Sequence, residues 1–212
     1  MTVNLLGIEE ASQRIHQLRL PHPLRVAVDG RIGCGKTTFA NALAATMKYG
    51  GRPVIRASID GFHQPRINRY RQGRLSSDGY YEDAHDLKAM RQLLLDPLGP
   101  GGDRICVTAS FDLDRDQPLK RAPKRVGESG VLIVDGEFLQ RPELQSAWDL
   151  VIFLNVSAQE ARRRGVERDA LLLRGTPTAA ELHDQRYGPA FSRYERECRP
   201  AAQADVVIDN EA

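Results

Sequence analysis

Residues 30–37 read Gly-Arg-Ile-Gly-Cys-Gly-Lys-Thr. A Gly-x-x-x-x-Gly-Lys-Thr run can wrap backbone N–H groups around a phosphate chain. Gly30, Gly33 and Gly35 put no Cβ in the way, and Cys34 contributes its main chain. In that arrangement Lys36 reaches the β- and γ-phosphates and the Thr37 hydroxyl binds Mg2+. Thr38 opens the helix that follows, whose N-terminus favours negative charge. The expected ligand is a nucleoside triphosphate, and the question is where its γ-phosphate goes.

Three acidic groups could act on that phosphate. Asp60 stands in Asp60-Gly61-Phe62-His63. Phosphoryl transfer to an alcohol needs a carboxylate beside the attacking hydroxyl. At an unperturbed pKa of ~3.9 an aspartate is too weak a base to strip an alcohol early. Its expected work is to orient the hydroxyl and accept the proton late. Asp135 and Glu137 follow the apolar run Val131–Val134, where an acid would hold Mg2+ or its water shell. A turn residue or helix cap is the plainer use of such an acid. Asp29, directly before the loop, reads as structural. His63 could support Asp60, contact a phosphate, or be a satisfied polar residue. The other four histidines show no metal-ligand spacing.

Arg164 and Arg168 are four residues apart and so share a helix face. Two guanidinium groups there could clamp a transferring phosphoryl group. The same residues fit a solvated face with Glu160 and Glu167 as surface partners. A second cluster, Lys120, Arg121, Lys124 and Arg125, reads as solvated surface.

These groups need a frame. Apolar runs at 24–29, 54–59, 104–110, 131–134, 149–154 and 206–208 read as strands. Stretches 8–19, 38–47, 83–95, 157–173 and 178–197 read as helices. The alternation predicts an α/β fold with a mainly parallel sheet of five to six strands, covered by helices on both faces. Asp29, Asp60 and Asp135 then fall at C-terminal strand ends, where open α/β sheets bind ligands. Residues 61–82, rich in Arg, Tyr, Gly and Ser with weak periodicity, read as an acceptor-binding loop or insertion. Residues 112–130 read as a polar loop with a hairpin. The expected organisation is one domain over 1–212, with an N-terminal helix within 1–22 and a small helical lid at about 157–175.

Composition fits a globular protein, with 212 residues, 41% hydrophobic and 27% charged. A net charge of +2 argues against nucleic acid or an anionic membrane as the main partner. Cys34, Cys106 and Cys198 are odd in number and far apart, which suits a reducing compartment. No apolar run approaches the ~18 residues of a membrane span, so a cytoplasmic location is expected. A homo-oligomer is compatible with the sequence.

Taken in order, the motifs resemble those of uridine kinases and their P-loop relatives, which include phosphoribulokinase and bacterial pantothenate kinase. The resemblance runs from about Leu24 to Asn210. It rests on Gly30 to Thr38, Ser58 to His63, Glu82-Asp83-Ala84-His85-Asp86, Asp135-Gly136-Glu137, Arg168-Asp169 and Ala204 to Ile208. It implies the P-loop NTPase fold, ATP as donor, Mg2+ as cofactor and a small-molecule alcohol as acceptor. It puts the family's catalytic aspartate on Asp60, its Mg2+-side acid on Asp135 or Glu137, and its lid arginine on Arg168. The sequence departs from the family where the acceptor is read. Tyr80, with Asp78 nearby, fills the slot of the ribose-binding aspartate. The base-reading segment, Phe111 to Asp116, has neither Tyr nor His, and Gly165 stands where a lid arginine is expected. Residues 77–83 thus become the candidate acceptor segment. Tyr80 and Tyr81 could stack on a ring or cover the core, and Asp83 and Phe111 border the same region.

The expectation is an ATP-dependent kinase of a small-molecule hydroxyl, with uridine or cytidine as the leading acceptor. A sugar or a pantothenate-like alcohol is the alternative. A regulatory GTPase-like switch is disfavoured, since no Asn-Lys pair occurs for a guanine-reading Asn-Lys-x-Asp.

Overall fold

In a computed structural model that describes residues 4–172 and 176–211, the sheet is built from five short apolar runs. These are β1 (Leu24–Gly30), β2 (Val54–Ser58), β3 (Val131–Gly136), β4 (Leu150–Asn155) and β5 (Val206–Asp209). They pair in the order β2-β3-β1-β4-β5, every pair parallel. Such a sheet must be covered on both faces, because each connection crosses over it. Alternate residues supply the two faces. Val26, Val28, Ile133 and Ile152 pack under α1 (Leu5–Gln17) and α2 (Lys36–Tyr49) through Ile8, Ile15, Leu43 and Met47. Ala27, Leu132, Val134 and Val151 pack on the opposite side with Phe62, Met90, Leu94 and Leu144. The fold is α/β with the P-loop architecture.

Register brings the chemistry to one edge. Asp135 lies beside Val28 of β1 and Ser58 of β2. The C-terminal ends of the three strands carrying the phosphate loop, Asp60 and Asp135 therefore converge.

Several expected elements differ. The run 104–110 does not join the sheet. Only Ile105–Cys106 extends, antiparallel to Lys124–Arg125, and the Val107 N–H turns to the Leu93 carbonyl at 2.8 Å. The hairpin within 112–130 forms around Phe111–Asp112 and Gln117–Pro118. Residues 61–82 are more regular than their composition suggests. A 3-10 turn at Ile59–Phe62 is followed by short helices at Arg66–Arg69 and Ser77–Asp83. The second helix starts where the Ser76 hydroxyl accepts the Gly79 N–H at 2.9 Å, a side-chain cap. The helix expected over 83–95 begins instead at Leu87, capped by Asp86 on the Ala89 N–H at 2.8 Å, and ends in a π turn at Arg91–Leu95. The helix expected over 178–197 is Thr176–Leu182 and Gly188–Cys198 joined by a π turn at His183–Tyr187. The lid helix is Ala158–Leu172, and residues 173–175 of the expected lid lie outside the described residues. Among the described residues no helix is long and apolar enough to cross a membrane.

Candidate active site

The phosphate loop, Asp60 and the lid border one open cleft of about 870 Å³. At one end stands the loop. Gly33 adopts φ +85°, and a Cβ there would collide with the Ala161 carbonyl of the lid helix, so this turn requires glycine. Gly30 and Gly35 flank it, and the Cys34 N–H closes a turn on the Arg31 carbonyl at 3.1 Å. The Cys34 side chain is fully buried in the core, which pushes its thiol up, so it does not face the cleft. Lys36 donates to the Arg31 carbonyl at 2.7 Å and to Glu137 Oε1 at 2.8 Å. Burial works against its charge, but Glu137 beside it holds the ammonium above its ordinary pKa. Thr37 and Thr38 are exposed to the cleft.

The two candidate metal acids have different partners. Asp135 is buried, accepts from the Thr37 hydroxyl at 2.6 Å on Oδ2, and pairs with Arg56 at 2.6 Å on Oδ1. Glu137 pairs with Lys36. Thr37 and Asp135 together present hard oxygen donors, the kind Mg2+ takes. Arg56 was not singled out in the sequence, where it is one strand residue among many. It bridges the neighbouring strands by also donating to the Ile133 carbonyl at 2.6 Å.

Asp29 is structural, as expected. It is fully buried and accepts from the Gly30 N–H, Gln140 and the Tyr194 hydroxyl. Burial pushes its carboxyl up to about 6 even against those three hydrogen bonds and the charge of Lys36.

Asp60 lines the cleft with its side chain 67% exposed. Crowding by the cleft walls works to raise its pKa. The hydrogen bond and charge of His63, with His85 and Lys36 beyond, overcome this and hold the carboxyl below its usual range. His63 Nε2 lies 3.4 Å from Asp60, and Nδ1 lies 2.9 Å from the Ala84 carbonyl. Each ring nitrogen thus faces an acceptor, the Ala84 carbonyl at Nδ1 and the Asp60 carboxylate at Nε2. His63 stacks on His85 at 4.4 Å, and burial, then His63, lower the His85 pKa.

The expected acceptor residues divide. Tyr80 borders the cleft beside Tyr187, 4.9 Å between rings. Tyr81, one residue on and so turned about a quarter-circle around the helix, packs edge-on against Phe138 at 5.1 Å in the core. Asp78 pairs with Arg193 at 2.8 Å, and Asp83 with Arg71 at 2.7 Å. Phe111 is buried in its hairpin. None of these four lines the cleft, and Leu113 and Asp114 do so instead. Helical periodicity turns Asp78 and Tyr81 away from the face that carries Tyr80; Asp83 is instead held by Arg71 and Gln72, and Phe111 by its hairpin.

The lid arginines also divide. Arg168 lines the cleft, half-exposed, with Nε on Asp169 at 2.7 Å. Arg164 touches the cleft's edge, but its guanidinium is committed to Glu160 at 2.6 Å and the Asn210 and Glu211 carbonyls. It ties the lid helix to the chain after β5 and has no free fork for a phosphate. Gly165 is a packing residue: a Cβ there would collide with the His183 ring, which pairs with Asp169 at 2.9 Å. An arginine in its place would displace that contact. Lys120, Arg121, Lys124 and Arg125 are all exposed and away from the cleft.

The far wall consists of residues the sequence did not single out individually. Arg69, Tyr70 and Arg74 come from the loop flagged as functional, and Arg186 and Tyr187 come from the π turn. Clustering of Arg and Tyr marked the first group. Nothing in a helical periodicity marked the second.

No family model matches the chain. Solved structures do. One provisionally assigned as a uridine kinase, from Bacillus stearothermophilus, is 24% identical, with a TM-score of 0.74 over 96% of this chain and 97% of that one. A second, provisionally assigned as a fructose transport system kinase from a Silicibacter species, is 23% identical, with a TM-score of 0.74 over 98% and 99%. D-glycerate 3-kinase from Cryptococcus neoformans is 12% identical, with a TM-score of 0.51 over 93% and 85%. The likeness is one of architecture across nearly the whole chain: its fold is that of the uridine kinase-like P-loop kinases.

Proposed function

We propose that the protein is an ATP-dependent kinase that transfers the γ-phosphate to a hydroxyl of a small molecule. The observation that carries this reading is Asp60, an ionised carboxylate on the same cleft as Lys36 and Thr37. A switch or a simple nucleotide binder has no need of an open carboxylate there.

In this reading the loop from Gly30 to Thr38 holds the triphosphate, and Lys36, kept charged by Glu137, meets its β- and γ-phosphates. Thr37 and Asp135 would hold Mg2+, which would offset the negative charge of the phosphates. Arg56 fixes the rotamer of Asp135. Asp60 receives the acceptor hydroxyl. Its depressed pKa makes it a weak base, so it orients the nucleophile and takes the proton as the O–P bond forms. His63 keeps that carboxylate in place. Arg168 faces the transferring group from the lid.

A nucleoside such as uridine or cytidine and a non-nucleoside alcohol, sugar or pantothenate-like, are the two acceptor classes. The geometry favours the second. The carboxylates near the ribose slot, Asp78 and Asp83, are bound to Arg193 and Arg71, and Tyr80 takes the cleft position.

The test compares wild type with Asp60→Asn in ATP, Mg2+ and a panel of nucleosides, sugars and vitamin alcohols. Acceptor-dependent ADP release should fall by ~10²-fold or more while ATP affinity is kept. Undiminished transfer in the variant would remove Asp60 from the mechanism.

A further inference from the structure

Beyond Asp60 the cleft carries two arginines, Arg74 and Arg186, that form no ion pair among the described residues. Arg186 is only 4% exposed. Its Nη1 donates to the carbonyls of Arg74 at 2.9 Å and Ser76 at 3.2 Å. Its guanidinium lies over Tyr80 at 4.8 Å and Tyr70 at 5.2 Å. Among the described residues no carboxylate forms an ion pair with it. Arg69, 6% exposed, has Asp116 at 2.8 Å, yet its buried Nε–H has no acceptor at all. Arg69 also lies over Tyr70, at 5.2 Å, and Arg74 borders the same cleft without an ion pair among the described residues. Burial depresses the Arg186 pKa against the pull of the tyrosines around it.

A buried guanidinium without a carboxylate is unfavourable, and a second one beside it compounds the penalty. Carbonyls and aromatic faces only partly replace water. The usual reason for such an arrangement in an open cleft is an incoming anion, since the arginine fork matches phosphate and carboxylate oxygens in pairs. The local structure supports this use. Arg186 lies on the π turn at His183–Tyr187, a distortion that often marks functional positions. Arg186 and Asp60 line the same cleft, and contacts run between them through Tyr80, His85 and His63. The acids at this end are Asp60, held by His63, the exposed Asp114, and Asp116 on Arg69.

We propose that the phosphate acceptor is itself an anion: a small alcohol bearing a phosphate or carboxylate that Arg69, Arg74 and Arg186 hold while its hydroxyl meets Asp60. This rests on the kinase reading above. It names the acceptor by its charge and disfavours neutral nucleosides and free sugars.

The experiment uses matched probes: glycerol, glycerate and glycerol 3-phosphate, then ribose and ribose 5-phosphate, then uridine and uridine 5′-monophosphate. Binding is measured by calorimetry with Mg2+ and a non-hydrolysable ATP analogue, and turnover by ADP formation. In at least one set the anionic member should exceed its neutral partner by ~10²-fold in affinity or kcat/KM. The glycerate and phosphate arms then distinguish the two anion types. For that probe Arg186→Gln should raise KM by ~10-fold or more with kcat little changed, because it removes binding common to ground and transition states. Arg74→Gln, at an exposed position, should act in the same direction but less, which covers the case that Arg186→Gln does not fold. Neutral members binding as well as charged ones throughout would overturn the proposal. Transfer to a neutral alcohol alone would overturn it and leave the kinase reading intact. Preferential binding of anions without transfer to any of them would keep the anion site and overturn the kinase reading.

Discussion

The two ends of the cleft treat charge in opposite ways. At the loop end each charged group has a partner: Lys36 has Glu137, and Asp135 has Arg56 and the Thr37 hydroxyl. At the far end Arg186 has only carbonyls and aromatic faces, and the Nε of Arg69 has nothing. The loop end is thus internally satisfied as it stands. The far end is left electrostatically incomplete. A self-satisfied site suits a ligand whose chemistry never varies, and under the proposal above the incomplete end is where the second ligand would contribute charge of its own.

The largest expected effect breaks the organised end. Lys36→Ala should lower ATP-dependent turnover by ~10²–10³-fold, since it removes a preorganised cation from the developing phosphoryl charge. Calorimetric binding of the anionic probes at the far end should stay within a few-fold. A parallel collapse of both would mean that the ends are not separable.

A smaller effect sharpens the division inside the lid. Arg168→Ala should lower kcat by ~10-fold or more. Arg164→Ala should leave kcat nearly unchanged and lower the melting temperature by a few degrees, since it cuts the tie to Glu160, Asn210 and Glu211. Equal kinetic losses in the two variants would contradict the assignment.

The smallest effect concerns the support beneath the loop. The Asp29 carboxyl is pushed up from 3.8 to about 6 in the folded protein, so the native state holds its proton more tightly than the unfolded chain. Stability contributed by this group is therefore present below its ordinary pKa and declines as pH rises through about 6. The Tyr194 hydroxyl limits that decline by donating to the ionised form. Tyr194→Phe should cost about 1–3 kcal/mol, more at pH 8 than at pH 5, as read by urea denaturation at both. Equal losses at the two pH values would show that Asp29 does not titrate in this window.

What could be read in the sequence follows the same division. The loop at 30–38 was legible because its chemistry lies in consecutive residues whose conformation is local. The central strands were legible because burial on both faces leaves long apolar runs. Asp60 and Asp135 followed as residues at strand ends. The acceptor residues were harder. Tyr80 and Tyr81 look equivalent in the chain, and both touch Phe138, but the helix start set by the Ser76 cap turns Tyr80 to the cleft and Tyr81 to Arg141 and Arg193. Arg164 and Arg168 share a face, yet the segment after β5 claims Arg164 alone. Strand 104–110 failed because an apolar run does not reveal which backbone groups will accept its hydrogen bonds.

The sequence by itself determined a glycine-rich turn between β1 and α2 and a carboxylate just after β2, because spacing along the chain suffices for both. Only the tertiary structure decided which charges remain unpaired. Arg69 and Arg186 are more than a hundred positions apart, and a π turn that no periodicity announces brings them to one Tyr70 ring. Pairing is a property of distance in space: Arg69 finds Asp116, while Arg186 finds carbonyls and ring faces but no carboxylate among the described residues.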